Sequence, residues 1–209
     1  MGEGDRAEIV VQVSGKNVIR FQTSAGRVQN LTLRQTGGGP LFDVVQASGA
    51  DVSSFLTSAG LIVNLALRQT GGGPFFGVDI GQGHLELEDC DISSAGRAGV
   101  AIHHGADPHL RRNRIHDGKQ SGVYIYENGH GILEDNDIFA NAPAGVIITT
   151  GGNPMLRGNR INKNVYAAIW ISERGAGTFE DNDLRDNAGG AWGIWPDCLS
   201  NVLRSGNIE

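Results

Sequence analysis

Apolar residues between Gly83 and the C-terminus return at a fixed interval. Leu87, Leu110, Leu133, Leu156 and Phe179 are each 23 positions apart, and so are Ile92, Ile115, Ile138, Ile161 and Leu184. A second apolar segment keeps the same step, reading Gly99-Val-Ala-Ile, Gly122-Val-Tyr-Ile, Gly145-Val-Ile-Ile, Ala168-Ile-Trp-Ile and Ala191-Trp-Gly-Ile. Each 23-residue copy therefore holds two short segments rich in Val and Ile, bounded by Gly, Asn, Asp and Pro, which is strand and turn chemistry. No copy sustains apolar spacing at i, i+3, i+4 and i+7 over the ten or more residues that a helical repeat needs.

A fixed short period changes the meaning of every other feature. Alternation along the second segment points Val100, Val123, Val146, Ile169 and Trp192 the same way as Ile102, Ile125, Ile148, Ile171 and Ile194, predicting the core. Stacked strands lie about 4.8 Å apart, so residues 23 apart become vertical neighbours in continuous columns. The expected fold is all-β: a right-handed parallel β-helix, wound as a single solenoid. A leucine-rich repeat is the nearest competitor, but its fuller L-x-x-L-x-L-x-x-N pattern is absent.

The N-terminal part repeats with a longer step. Val10-Val-Gln-Val-Ser-Gly recurs as Val44-Val-Gln-Ala-Ser-Gly, and Leu33-Arg-Gln-Thr-Gly-Gly-Gly-Pro recurs at Leu67, both 34 positions on. The predicted organisation is one domain over 1–209, with two 34-residue coils in 10–82 and 23-residue coils in 83–209. Both ends break off close to a repeat strand, which suggests a segment of a larger protein.

Two sets of columns support this register. Asn113, Asn136, Asn159 and Asn182 follow Cys90 at the same step, predicting an internal asparagine ladder whose loss at Asn136 costs about 1–3 kcal/mol. Glu88, Arg111, Glu134, Arg157 and Glu180 alternate in sign, as do Asp91, Arg114, Asp137, Arg160 and Asp183. Slipping by one coil would stack like charges, so these columns fix register more than they add stability.

The repeats LEDNDI and LRRNRI and the G-V-x-I strands resemble the parallel β-helix repeat family of carbohydrate-binding and sugar-hydrolase domains, with a pectin-lyase-like fold. Similar repeats occur in a periplasmic accessory protein of nitrous oxide reductase and in certain F-box proteins. The resemblance implies the fold and leaves the role open, because this architecture hosts lyases, hydrolases, epimerases, adhesins and scaffolds.

Motifs for chemistry are incomplete. Gly129-His130-Gly131 resembles an element of polygalacturonases but lacks the clustered aspartates and Arg-x-Lys pair that accompany it there. Asp107-Pro108-His109 resembles the start of the alginate-epimerase D-P-H-D motif, yet Leu110 stands where the second Asp belongs; a repeated Asx-Pro turn accounts for it. Asp89, Asp135, Asp181 and Arg112 are pectate-lyase residue types, but same-column acids two coils apart with a cation between them suit a charge ladder better than calcium. His84, Asp107 and His130 share a column at adjacent-coil spacing and are plausible metal ligands, but His84 and His130 fall two coils apart, which favours a turn-surface column. The expectation is no cofactor, no metal and no catalytic residue.

The outward side of the second strand carries His103, Tyr124, Tyr126, Ile147, Trp170 and Trp195 in two adjacent columns. Aromatic groups concentrated on a flat sheet suit stacking on a sugar or anchoring a protein. The sequence thus predicts a non-catalytic binding or scaffold domain that recognises a polysaccharide or a protein through this face, with a polysaccharide lyase or hydrolase as the alternative. Self-association through the same face or the coil ends is a further expectation. A net charge of −6 spread without a basic stripe argues against nucleic acid. No stretch approaches the roughly 20 apolar residues of a membrane span, and the first residues lack the apolar segment of a secretory signal, so a cytoplasmic location is expected. Cys90 and Cys198 fall several coils apart, beyond the roughly 7 Å Cα separation a disulfide tolerates, and should be free thiols.

Overall fold

The computed structural model of the chain describes residues 19–21, 26–29, 43–47 and 53–209. It is a parallel β-solenoid whose strands pair coil to coil in register: Val123 lies beside Val100 and Val146, and Leu133 beside Leu110 and Leu156. Residues 23 apart are vertical neighbours.

Each coil has three faces. The first face stacks the start of Val78–Glu88 with Val100–Ile102, Val123–Ile125, Val146–Ile148, Ile169–Ile171 and Trp192–Ile194. The second stacks the end of Val78–Glu88 with His109–Arg111, Ile132–Glu134, Met155–Arg157, Gly177–Glu180 and Val202–Ser205. The third stacks Leu65–Gln69, Asp91–Ser94, Arg114–His116, Asp137–Phe139 and Arg160–Asn162. The stretch Leu85–Ile92, which reads as one apolar-rich segment, is split between the second and third faces by a corner.

That corner has a physical signature. Asp89, Arg112, Asp135, Gly158 and Asp181 all take left-handed backbone angles, φ between 51° and 64°. A left-handed residue turns the chain within a single step, at a cost of about 1–2 kcal/mol when it carries a Cβ. The residue that follows offsets this cost. Asn113 accepts the Cys90 amide at 3.0 Å through Oδ1, and its Nδ2 donates to the Leu87 carbonyl at 2.7 Å and to Asn136 Oδ1 at 3.0 Å. Asn136, Asn159 and Asn182 repeat the pattern, and Asn182 passes it to Asn207. The predicted asparagine ladder is present.

A second ladder runs down another corner. Asn141 hands on to Asn164, and Asn164 to Asn187, each following a left-handed residue, Ala140, Lys163 or Asp186. Their 23-residue spacing was available in the sequence. The signal is weaker because Gly118 occupies the position below Asn141, where only its amide takes part.

The interior is the apolar column set the pattern predicts. Leu87, Leu110, Leu133, Leu156 and Phe179 are fully buried, as are Val100, Ile102, Val123, Ile125, Val146, Ile148, Ile169 and Ile171. Trp192 and Ile194, in the last described coil, are only partly buried, and the Trp192 ring meets Phe179 edge-on at 5.3 Å. Cys90 and Cys198 are free and buried, and burial pushes the Cys90 thiol up to about 12. Gly145 is held small by its neighbours, since a Cβ there would overlap Ile161 and the Ala168 carbonyl.

The charge columns pair as expected. Arg111 reaches Glu88 at 2.6 Å, Arg114 reaches Asp91 at 2.8 Å, Arg160 reaches Asp137 at 2.7 Å, and Arg157 pairs with Glu134. Arg112 takes Asp89 through two bonds of 2.8 Å, so that acid is neutralised from above.

Towards the N-terminus the step changes. Ile19 pairs with Ser53 and Gly26 with Gly60, the 34-residue spacing of the duplication, whereas Ser53 pairs with Val78 and Ile62 with Leu87, a step of 25. The repeats Val10–Gly15 and Leu33–Pro40, on which the two 34-residue coils were expected, lie outside the described residues. Among the described residues the one helical segment is the short 3-10 helix Pro196–Asn201, which takes up the two extra residues between Gly177 and Val202.

Candidate functional site

The first face carries the outward aromatic residues, and its strands fix where they sit. The middle position of each strand gives one column: Asp79, Ala101, Tyr124, Ile147, Trp170, Gly193. Residues just past the strand ends give a second, with His103, Tyr126, Thr149, Ser172 and Trp195. Because the small Ala101 is followed by Tyr124, the surface is stepped rather than flat. Phe76, Ala98 and Ala101 form a satellite apolar cluster, and Tyr124 and Tyr126 lean on it.

The six predicted residues divide into separate groups. His103, Tyr126 and Tyr124 form one stack, with ring centroids 4.8 Å and 4.5 Å apart and planes within 18° of parallel. Trp170 belongs to another, tilted against Tyr166 at 5.3 Å and lying over Gly193, where a Cβ would overlap its ring. Ile147 sits between the two groups, half-buried. Trp195 is 49% exposed at the start of the 3-10 helix. Aromatic residues on neighbouring coils thus cover one another, and the open area is smaller than alternation alone implies.

A groove of about 590 Å3 crosses this face. Tyr124 and Ile147 form its floor. One lip comes from the turns leading into the strands and brings Phe76, Arg97 and Gln120; the other comes from the turns leaving them and brings Thr149, Ser172 and Glu173. Arg97 lies over the Phe76 ring at 5.5 Å. Thr149 and Thr150 donate to one oxygen of Glu173 at 2.8 and 2.9 Å, and these bonds hold its carboxyl below the usual range. Desolvation raises the Tyr124 hydroxyl, with the Glu173 charge adding to it, so the ring stays a neutral phenol. The lip residues were not singled out in the sequence, because they lie in turns whose positions only the coil geometry brings over the strand.

In the histidine column at the next corner His84 Nδ1 lies 3.5 Å from Asp107 Oδ2, but His130 turns away to the following coil, so the three residues do not form one cluster. His84 Nδ1 meets the Asp107 carbonyl at 3.0 Å and His130 Nδ1 meets that of Asn153 at 3.3 Å, so each is tied to the backbone one coil on. A different group does converge: ligand atoms of His103, His104 and Glu127 lie within 4.8 Å of one another.

The family described as the right-handed beta helix region matches residues 74–206, well over half of the chain. No curated protein and no solved structure matches.

Proposed function

This chain belongs to the right-handed β-helix family, and from that premise we propose that it serves as a non-catalytic binding domain whose first-face groove takes a carbohydrate chain. The observation that carries this reading is the Tyr124 ring on the floor of a groove rimmed by Arg97, Gln120 and Glu173. A sugar presents an apolar ring face and a belt of hydroxyls. It matches a half-exposed aromatic flanked by a guanidinium, an amide and a carboxylate, each able to bond hydroxyls. The lining spans the tiers of Val78 to Ile169, four steps of about 4.8 Å, which suits an extended oligomer. A concave site with a few convergent polar groups is also the usual form of a small-ligand pocket. Carboxylates on the other two faces are largely engaged by arginine, which supports binding over hydrolysis.

The test is a glycan array followed by titration calorimetry with any retained oligosaccharide. Tyr124→Ala and Arg97→Ala should each weaken binding at least tenfold, while Trp170→Ala, outside the groove, should leave it within twofold. Loss through Trp170 alone would move the site, and retention of no glycan would reject the reading in favour of a protein partner. Release of reducing ends or unsaturated sugars from a bound polysaccharide would replace it with an enzyme.

A further inference from the structure

We infer that the corner after the first face is a binding site for a divalent transition metal such as zinc, with His103, His104 and Glu127 as ligands and Asp79 as the residue that positions His103. Nothing in this inference depends on the groove or its ligand.

The fold assembles these four residues from three coils. Asp79 pairs with Ala101 on the neighbouring strand, which leaves it one coil below His103. His104 and Glu127 are 23 apart and both left-handed, with φ of 51° and 47°, so they occupy equivalent places at the corner on successive coils. Two-residue turns run through both positions, closed by the Ala106 amide on the His103 carbonyl at 3.0 Å and by the Gly129 amide on the Tyr126 carbonyl at 2.9 Å. Tight turns of this kind hold the side chains on a rigid support.

His103 is prepared as a ligand. Its Nε2 lies 2.8 Å from Asp79 Oδ1, and its ring is stacked on Tyr126 at 4.8 Å with planes 15° apart. With the proton on Nε2 donated to the carboxylate, Nδ1 presents a lone pair away from Asp79. A carboxylate on the far nitrogen of a metal-binding histidine is the common means of fixing its tautomer and ring orientation. Where that lone pair points, His104 brings its own Nδ1 into contact with it. Glu127 Oε2 lies 3.1 Å from the other nitrogen of His104 and within reach of the cluster, so it joins as the third ligand by exchanging that bond for the ion.

Burial is graded in a way that suits ligand exchange. The His103 side chain is 13% exposed and that of His104 64%. The inner ligand is fixed, and the outer ones are free to adjust. Two Zn–N bonds of about 2.0–2.1 Å at a tetrahedral angle need the nitrogens about 3.3 Å apart. His104, the more exposed of the two, reaches that separation by swinging outward into solvent. Two imidazoles and one carboxylate suit zinc, nickel or copper far better than calcium or magnesium, which prefer all-oxygen shells. Three protein ligands on an exposed corner leave a fourth position for water.

Titration calorimetry of untagged full-length protein with ZnCl2 tests the assignment, with Co2+ absorption as a second readout of geometry. One ion per chain is expected. His104→Asn, which keeps a side chain suited to left-handed backbone, and Glu127→Gln should each reduce affinity at least tenfold. Asp79→Asn should reduce it by about 10–100-fold, the usual effect of losing an orienting partner. His130→Ala, at another corner, should change nothing. Absence of binding at millimolar zinc, or affinity unchanged in His104→Asn, would overturn the inference; loss in His130→Ala but not in His104→Asn would assign the metal elsewhere.

Discussion

Replacing Asn136 with alanine tests the account of the corners most directly. In the native chain Asn136 Oδ1 accepts the Asn113 amide at 2.9 Å and Asn113 Nδ2 at 3.0 Å, and its Nδ2 donates to the Leu110 carbonyl and Asn159 Oδ1, both at 2.9 Å. Two of those partners keep another bond: Asn113 Nδ2 still has Leu87, and Asn159 Oδ1 still has the Asn136 amide. The Asn113 amide and the Leu110 carbonyl lose their asparagine partner inside the core. Because the Leu110 carbonyl keeps its place in the strand ladder, the Asn113 amide is the group left orphaned, and the loss should be about 1–3 kcal/mol. With a urea dependence of about 2 kcal/mol per M, the unfolding midpoint should fall by about 0.5–1.5 M. Because a solenoid is stabilised tier by tier, the effect should also be local. Hydrogen exchange should show the Asn113 amide losing protection while the Ile169 tier keeps most of its own. Alanine at the exposed Asn153 is the control and should shift the midpoint by no more than about 0.3 M, in keeping with surface changes of about 0.5 kcal/mol or less. If Asn136→Ala behaves like that control and Asn113 remains protected, the ladder does not hold the corner.

The His116 and Asp91 pair should give stability a pH dependence on both sides of neutrality. The hydrogen bond that His116 Nε2 donates to Asp91, at 3.0 Å, raises the imidazole against the opposing effect of burial, and Asp117 adds to the rise. Its contribution is complete below the ordinary histidine value near 6.5 and is lost as pH climbs through the raised one. Burial works against the Asp91 charge, but His116 and Arg68 outweigh it and hold the carboxyl at about 2, so that contribution is present above about pH 4 and disappears as pH falls toward 2. Melting temperature should therefore drop above pH 6.5 in the native protein, and His116→Gln should flatten that limb; an unchanged slope in the variant would place the titration elsewhere. Glu134→Arg should stack three arginines at 111, 134 and 157 and melt below Glu134→Gln in low salt. Because the Debye length shrinks to about 3 Å at 1 M, the gap should close there, and a gap that persists would mean the charge column is not what separates the two variants.

Much of the architecture was legible because a solenoid converts one-dimensional spacing into vertical contact. Leu87 through Phe179, the Cys90 to Asn182 column and the alternating charges all follow from the interval of 23 and the strand spacing, with no knowledge of loops required. How the residues divide among the faces did not follow. Leu85–Ile92 reads as one apolar-rich segment, and only the left-handed turn at Asp89 divides it between two sheets. A single-residue corner leaves almost no trace in composition, since Asp, Arg and Gly fill it in turn.

Alternation along the first-face strands determined which side chains point outward, and so placed His103, Tyr124, Tyr126, Ile147, Trp170 and Trp195 on that surface. Which of them remain open was decided in three dimensions. Rings on adjacent coils are close enough to stack, Phe76 and Arg97 arrive over them from turns, and Trp170 settles into the gap left by Gly193. The contact of His103 with Asp79, and of His104 with Glu127, likewise needs neighbouring coils to be superimposed. Period and pattern determine which residues become neighbours between coils, but side-chain volume and corner geometry decide what those neighbours leave exposed, because rotamers and turn angles are chosen only once the coils are packed.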